Sequence, residues 1–220
     1  MIVTIDGPAG AGKSSVSRML AQRLGFAFLD TGAMYRAVAL AALRQNLGWN
    51  DPTALAALAR RLNIEIRDDR TYLEGEDVSS EIRSHEVTSA THYAANNVAV
   101  RAHLVQLQRQ VAGRLDIVTE GRDQGTVVFP HAECKIFLDA SPHERARRRQ
   151  ADLAARGEKL SLDEVLADQN RRDESDAARE VGPLVAAADA VHVNTDGLAP
   201  EEVVDRLEAL VRARMPEAAK

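Results

Sequence analysis

The chain has 220 residues, a formal net charge of −5 and a single cysteine, Cys134. Its length suits one α/β domain with insertions, while its negative charge argues against a protein that binds nucleic acid through overall attraction. One cysteine cannot form an intramolecular disulfide, no apolar run is long enough to predict a membrane span, and the strand predicted at the N-terminus leaves no room for a signal peptide, so we expect a cytoplasmic protein.

The first predicted strand, residues 1–5, leads into a loop that matches the pattern G-x-x-x-x-G-K-[ST], and a helix is predicted over 15–24. Glycines let the backbone curve so that several N–H groups point at one phosphate, and the helix N-terminus adds positive potential. The pattern predicts a nucleotide phosphate site in which Lys13 reaches the outer phosphates and Ser14 ligates Mg²⁺. The alternative to a phosphate site is a glycine-rich turn that only joins the strand to the helix. The residues assigned to the site are Gly7, Pro8, Ala9, Gly10, Ala11, Gly12, Lys13, Ser14 and Ser15.

Strands and helices alternate along most of the remaining chain. This alternation predicts a mostly parallel sheet of five strands with helices on both faces. The later strands are expected over 26–29, 117–119, 134–138 and 191–193, and the later helices over 31–46, 52–62, 86–95, 98–114, 142–156, 162–179 and 200–213.

Residues 52–95 interrupt the alternation and are predicted to form an inserted subdomain. Within it, Ile64–Arg67 and the stretch around Tyr72 alternate between apolar and polar residues, which is typical of a small antiparallel hairpin with Asp68, Asp69 and Arg70 at its turn. We therefore expect a core domain over 1–51 and 96–220, the insert over 52–95, and a lid region over 145–179 within the core.

Three helix starts carry capping residues. Asp51 precedes a proline at the first helical position, and two serines are each followed three residues later by glutamate, which is the capping-box pattern. The serine and glutamate pairs are Ser141 with Glu144 and Ser161 with Glu164.

Two of the predicted helices carry charged residues along one face and are separated by Gly157. Together they predict a mobile lid that brings positive charge over bound phosphates. The alternatives are a solvated or nucleic-acid-binding face for the first helix and a surface ion pair for the second. The charged residues are Arg145, Arg148 and Arg149 on the first helix, and Arg172, Asp176 and Arg179 on the second.

Polar residues also follow two predicted strands, at the sheet edge where ligands bind in open α/β folds. Thr31, Tyr35 and Arg36 come after the second strand, and Glu120-Gly121-Arg122-Asp123 ends the third. An arginine beside an aspartate suits one charge for a phosphate and one acceptor for a base amino group. The alternatives are a helix cap at Thr31 with a solvated Arg36, and a buried cap or turn at 120–123.

These motifs together resemble the bacterial cytidylate kinase family along nearly the whole chain. The most specific are G-R-D-x-G-T-V-V-F-P and L-x-G-x-D-V-S-x-x-I-R, joined by L-D-T-G-A-M-Y-R, E-R-A-R-R-R and R-R-D-E-S-D. The resemblance implies an adenylate-kinase-like fold with a monophosphate-binding insert and a short lid. It also implies transfer of the γ-phosphoryl group of ATP to CMP or dCMP, with Mg²⁺. His92 departs from the family, which often has serine there.

The resemblance assigns roles residue by residue. Cytosine contacts are expected from Thr31, Arg101 and Asp123, with Tyr35 also at the substrate. Phosphate contacts are expected from Arg36 and Arg122, with Arg179 at the same end of the nucleotide. Ribose contacts are expected from Arg172 and Asp176. The catalytic set implied is Lys13, Arg122, Arg148 and Arg149.

Other functions have distinct sequence signatures. A GTP-binding switch needs an Asp-x-x-Gly element and an Asn-Lys-x-Asp guanine reader, and the chain contains neither. A nucleotide-binding module without chemistry does not need Lys13, Ser14 and the arginine set. The second hypothesis is another kinase of the same fold that phosphorylates a different small acceptor. We expect a monomer with small-molecule substrates and neither nucleic acid nor membrane partners.

Overall fold

The computed structural model describes residues 1–67, 69–113, 115–155 and 157–215. Three positions named in the sequence predictions lie outside these ranges: Asp68 in the hairpin turn, and the helix ends at Arg114 and Arg156. None of the helices in the described ranges combines the length and apolar character that a membrane-spanning segment needs.

Strands and helices alternate as predicted, and most observed bounds lie within two residues of the predicted ones. In chain order the elements are β1 (Ile2–Asp6), α1 (Lys13–Leu24), β2 (Ala27–Asp30), α2 (Thr31–Arg44), α3 (Pro52–Arg61), β3 (Ile64–Arg67), β4 (Arg70–Leu73), β5 (Glu76–Asp77), α4 (His85–Asn96), α5 (Val98–Ala112), β6 (Ile117–Gly121), β7 (Cys134–Asp139), α6 (Pro142–Ala155), α7 (Leu162–Ala177), β8 (Val191–Asn194) and α8 (Pro200–Arg212).

The described residues form two compact units, Met1–Phe28 with Leu115–Lys220 and Leu29–Arg114. The division falls inside β2, so α2 and α5 belong with the second unit. The predicted insert over 52–95 is narrower, because its bounds follow the interruption of the strand-helix alternation. The insert and the lid region stay predictions.

Within the described ranges, five strands form one parallel sheet in the order β2-β6-β1-β7-β8, which confirms the predicted fold class. β1 lies at the centre, and its last residue, Asp6, is in register with Gly121 on one side and Phe137 on the other. Val3 and Ile5 are fully buried in the core of this unit. A parallel strand covered on both faces is expected to be apolar along its length.

The second unit holds the helices α2 to α5 and a small antiparallel sheet, β3-β4-β5. The predicted hairpin is confirmed by the pairing of Ile64 with Leu73. The third strand, Glu76–Asp77, was missed because two exposed acidic residues have low strand propensity. Alanines of α2 form much of the buried face, which allows α4 to pack closely against this helix.

Two of the three predicted caps are complete. Asp51 accepts the N–H of Ala54, and Ser161 and Glu164 form a reciprocal capping box. At α6 only half of the predicted capping box forms. The N–H of Glu144 donates to the hydroxyl of Ser141, but the predicted bond from the N–H of Ser141 to the side chain of Glu144 is wrong. The N–H of Ser141 donates instead to Asp196, while the carboxylate of Glu144 accepts from Arg147 and Arg148. Charged guanidinium donors compete successfully with a backbone N–H for that carboxylate.

Candidate active site

The glycine-rich loop joins the centre of the sheet to α1. A Cβ at Gly7 would lie 2.0 Å from the carbonyl oxygen of Leu138, so only glycine permits this approach to β7. Gly12 takes a left-handed φ of 85° and directly precedes α1. Within the described residues no side chain caps this helix start, and its first turn carries no acidic residue. An uncapped helix N-terminus without a local negative charge suits an anion.

Lys13 is buried against the loop, where its Nζ donates to the carbonyl oxygen of Pro8 at 2.7 Å. Burial, reinforced by the positive charge of Arg122, lowers the pKa of the Lys13 ammonium well below its ordinary value, and Glu120 partly opposes this. A bound polyphosphate would act in the same sense as Glu120 and favour the charged ammonium. Ser14, by contrast, is exposed at the first turn of α1.

Asp6 lies at the end of β1, immediately before the loop, and was not predicted as part of the site. Its Oδ1 accepts the N–H of Gln124 at 2.8 Å and its Oδ2 accepts the N–H of Gly125 at 2.7 Å. Burial raises the pKa of this carboxyl to about 6, against the opposing effect of the two backbone hydrogen bonds. The carboxylate of Asp123 raises this pKa further, while Lys13 lowers it, so both side chains are within electrostatic range of Asp6.

The segment Glu120-Gly121-Arg122-Asp123 connects β6 to a π-helical turn, Gln124–Val128, that was not predicted. Glu120 is paired in register with Ile5 of β1, and both Glu120 and Asp123 are buried. The structure therefore brings this segment alongside the glycine-rich loop, as the strand-end argument expected. The alternative prediction of a buried cap or turn is also confirmed, because Asp123 directly precedes the π-helical turn.

Asp176 of α7 is held between two arginines. The Nε of Arg122 donates to its Oδ2 at 2.7 Å, and Arg179 donates to its Oδ1. The side chain of Asp176 is only 4% exposed and that of Arg122 17% exposed, so a solvated surface ion pair is the wrong description. Burial works against ionisation of Asp176, but the charges of Arg122 and Arg179 outweigh it and lower its pKa. Arg172 adds to this effect and also acts on Lys13.

The arginines on the predicted face of α6 make different contacts. Arg145 is buried and donates to the carbonyl oxygens of Ala140 and Ala9, the latter within the glycine-rich loop. Its guanidinium also pairs with Asp173 of α7 at 2.6 Å. Arg145 thus links the loop to α7 as a structural support, so a solvated or nucleic-acid-binding face is the wrong description of this residue.

Arg148 is anchored at the end of β8. It donates to the hydroxyl of Thr195 at 2.9 Å and to the carbonyl oxygen of the same residue at 2.6 Å. A Cβ added at Gly12 would lie 3.8 Å from its Nη1, so Arg148 lies beside the glycine-rich loop. Arg149 is half-buried on α6.

The second unit carries the other predicted substrate residues. Asp30, and not Thr31, caps α2 by accepting the N–H of Ala33, and Thr31 is buried as the first residue of the helix. Arg36 donates to the hydroxyl of Thr88 at 2.9 Å, so it is not merely solvated. Asp30 also pairs with Arg83, which sequence reasoning did not single out.

Arg101 and Tyr35 lie together within the second unit. The guanidinium of Arg101 is 5.6 Å from the centre of the Tyr35 ring, and its Nη1 donates to the carbonyl oxygen of Ala95. Arg101 is buried, which is unusual for arginine. His92 lies on α4, where its Nδ1 is 2.7 Å from the carbonyl oxygen of Ser89 and its ring packs against Tyr93.

Three residues at the site escaped prediction, namely Asp6, Arg145 as a support, and Asp173. Their contacts join positions that are 28 to 136 residues apart in the chain. One signal was available for Asp6, because an acidic residue at the end of an apolar central strand is costly unless it is hydrogen-bonded.

Comparisons with known proteins show what the chain is similar to. A sequence model described as cytidylate kinase matches residues 3–213. The cytidylate kinase of Rhodopirellula baltica is 54% identical over 96% of this chain and 93% of its own. That of Mycobacterium leprae is 51% identical over 97% of this chain and 96% of its own. A solved Thermus thermophilus structure shares the fold with a TM-score of 0.53 and 19% identity, covering 98% of each chain. The chain therefore belongs to the cytidylate kinase family.

Proposed function

We propose that this protein transfers the γ-phosphoryl group of ATP to CMP or dCMP, giving ADP and CDP or dCDP. The observation that carries the proposal is the match to relatives named cytidylate kinase at up to 54% identity over nearly the whole chain. The glycine-rich loop with a buried lysine and the adjacent arginine and aspartate pair suit the two halves of such a reaction.

The donor half of the reaction uses the loop from Gly7 to Ser15. Its uncapped helix start and buried Lys13 would bind the phosphates of ATP. Mg²⁺ fits the same place, because the hydroxyl of Ser14 is an exposed oxygen ligand at the first turn of α1. Ser14 would hold the ion there, and the ion would supply positive charge that offsets the charge developing during transfer.

Phosphoryl transfer demands positioning and charge stabilisation, with little covalent chemistry from the protein. We propose direct in-line transfer in which no side chain acts as a nucleophile. Lys13, Arg122, Arg148 and Arg149 supply positive charge to the transferring group. Asp176 helps to hold the guanidinium of Arg122 in one orientation through the 2.7 Å bond to its Nε.

We assign the acceptor contacts residue by residue. Its phosphate is assigned to Arg36, Arg122 and Arg179, and its base to Thr31, Tyr35, Arg101 and Asp123. Its ribose is assigned to Arg172 and Asp176. The arginine bonds to Asp176 are compatible with a ribose contact, since a carboxylate offers about four lone-pair sites.

The test is a turnover assay with ATP, Mg²⁺ and a panel of acceptors: CMP, dCMP, UMP, AMP and shikimate. We expect the highest kcat/KM for CMP or dCMP and slow ATP hydrolysis without an acceptor. Preference for shikimate or another small acceptor would support the alternative, a different kinase of the same fold. Turnover of GTP without an acceptor would support a switch.

The proposal includes the cellular setting. We propose a cytoplasmic location, which agrees with a single cysteine, and no nucleic-acid partner, which agrees with a net charge of −5. A monomeric state and the absence of a membrane partner belong to the same proposal. It also includes a lid over 145–179 that closes on the donor, and an insert over 52–95 that binds the monophosphate. Gly157, with a left-handed φ of 84°, separates the two lid helices and suits a hinge.

A further inference from the structure

Asp6 connects the start of the glycine-rich loop to the turn that follows Asp123. It is the last residue of β1, and the two N–H groups it accepts belong to Gln124 and Gly125, more than a hundred residues away in the chain. The side chain is 3% exposed, so both bonds are formed in a dry environment. Charge-assisted bonds of this kind are about twice as strong as neutral ones.

These bonds cap the π-helical turn from a neighbouring strand. The N–H groups at the start of any helical turn lack partners within that turn. Asp123 heads the turn, but in the described structure its own carboxylate does not cap it. Asp6 therefore accepts the N–H groups that the residue preceding a helical turn, here Asp123, commonly accepts with its own side chain.

The turn is also packed tightly on the central strands. A Cβ at Gly125 would lie 3.0 Å from the hydroxyl oxygen of Thr4 and 3.4 Å from Oδ2 of Asp6, both on β1. On the other side, Thr119 of β6 donates to Oε1 of the buried Gln124 at 2.9 Å. The turn thus has contacts with β1 and β6 that determine where its first residues lie.

We propose that Asp6 is a positioning residue for phosphoryl transfer: by holding the turn at Gln124 and Gly125, it places Arg122 and Asp123 relative to the glycine-rich loop. Asp6 does this without touching either substrate. The inference rests on the proposed function, in which Arg122 and Asp123 bind the acceptor. At neutral pH the carboxylate is mostly ionised, because its pKa of about 6 lies below that pH, and both of its oxygens can accept.

The first experiment compares Asp6→Asn with a matched control. Asparagine keeps the shape but turns an NH₂ group toward one of the two N–H donors, so one bond is lost. Asp139→Asn makes the same change at the end of β7, the strand next to β1, where the carboxylate accepts the N–H of its neighbour Ala140. We expect Asp6→Asn to lower kcat with CMP on the order of 10²-fold, as for a misplaced catalytic constellation.

The same variants separate positioning from a general loss of structure. For Asp6→Asn we expect a raised KM for CMP and a KM for ATP within about threefold of wild type, since the loop itself is unchanged. Asp139→Asn should match wild type in all three parameters. Equal loss toward ATP and CMP, in proportion to the folded fraction, would overturn the inference.

A readout without turnover completes the test. Amide hydrogen exchange should show that Gln124 and Gly125 lose protection in Asp6→Asn, while Val3 and Ile5 of β1 keep theirs. Gly125→Ala crowds the same turn against Thr4 and Asp6 of β1 and should produce the same CMP-selective defect with the Asp6 carboxylate retained. Wild-type kinetics in a variant that has lost amide protection would show that the contact has no catalytic consequence.

The two proposals fail in different ways. If the wild-type protein is inactive with CMP but phosphorylates another acceptor, the proposed function is wrong. The Asp6 variants are then measured with that acceptor, where the same split between acceptor and ATP parameters decides the inference. If CMP is the acceptor and Asp6→Asn is unaffected, the inference alone is wrong.

Discussion

Arg122 donates its Nε hydrogen to Oδ2 of Asp176 across 2.7 Å, joining the end of β6 to the buried face of α7. The Nη1 of the same guanidinium donates to the carbonyl oxygen of Gly121, so two bonds fix its orientation. A second arginine, Arg179, donates to the other oxygen of the same carboxylate. Asp176 therefore orients Arg122 regardless of which nucleotide group Arg122 contacts.

Asp176→Asn should weaken both folding and catalysis, because it removes the negative charge that two largely buried guanidinium groups share. Breaking a buried pair costs about 3–5 kcal/mol. Asp168→Asn on the same helix removes an exposed pair with Arg171 and should cost less than about 1 kcal/mol. Urea unfolding and kcat/KM for CMP check both variants. Similar stability and activity in the two would contradict the orienting role.

Lys13→Ala should lose on the order of 10³-fold or more in turnover, because a buried, flexible point charge at the phosphates is removed. Arginine is too large and too rigid to replace it in the space below Pro8, so Lys13→Arg should also be severely impaired. Steady-state turnover with saturating ATP and CMP measures both. Half of the wild-type rate in Lys13→Ala would remove Lys13 from the catalytic set.

Arg36→Lys should weaken CMP binding and leave ATP binding nearly normal, since lysine cannot form the bidentate contact with a phosphate that arginine forms. Arg44→Lys is the matched control: Arg44 lies at the other end of α2 and pairs with the exposed residues Glu76 and Glu81. Calorimetric titration with each nucleotide gives the comparison. Equal weakening of both nucleotides in Arg36→Lys would indicate a folding defect.

Asp123→Asn should narrow the difference between CMP and UMP, mainly by harming CMP. Cytosine presents an amino donor that a carboxylate accepts, whereas uracil presents a carbonyl oxygen at that position. Sites built to hydrogen-bond one substrate reject its analogue by up to about 10⁴-fold. The measurement is kcat/KM for both nucleotides in wild type and variant. An unchanged ratio would leave Asp123 as a structural residue of the turn.

Asp6 should make stability depend on pH in a direction opposite to that of most carboxylates. Its pKa is raised in the folded protein from 3.8 to about 6, so its protonated form is favoured by folding. The resulting stability is complete below the unfolded pKa and is lost as pH rises through 6. Between pH 4.5 and 7 the wild type should lose roughly 2 kcal/mol relative to Asp6→Asn.

Urea unfolding of both proteins at the two pH values measures this difference. Lys13 and Asp123 also act on Asp6, so the comparison with the uncharged variant is needed to isolate its own titration. A constant difference between the two proteins would show that the carboxyl of Asp6 does not titrate in this range.

Local patterns in the sequence were enough to predict the alternating elements, the parallel sheet and the phosphate loop. A glycine at a left-handed position, a proline after an N-cap and an apolar central strand each act within a few neighbouring residues, as at Gly12, Pro52 and Ile5. The strand-end argument placed Arg122 and Asp123 beside the loop because parallel strands end at one edge.

Only the tertiary structure decided which protein groups each charged side chain contacts. Arg145 and Arg148 are both on α6, yet one is buried beneath the loop at Ala9 and the other is anchored at Thr195. Asp6 and Asp176 likewise received their partners from segments distant in the chain. Helical spacing determines which face a residue occupies, but the burial of that face and the charges opposite it depend on how the elements pack, and these set each pKa and hydrogen bond.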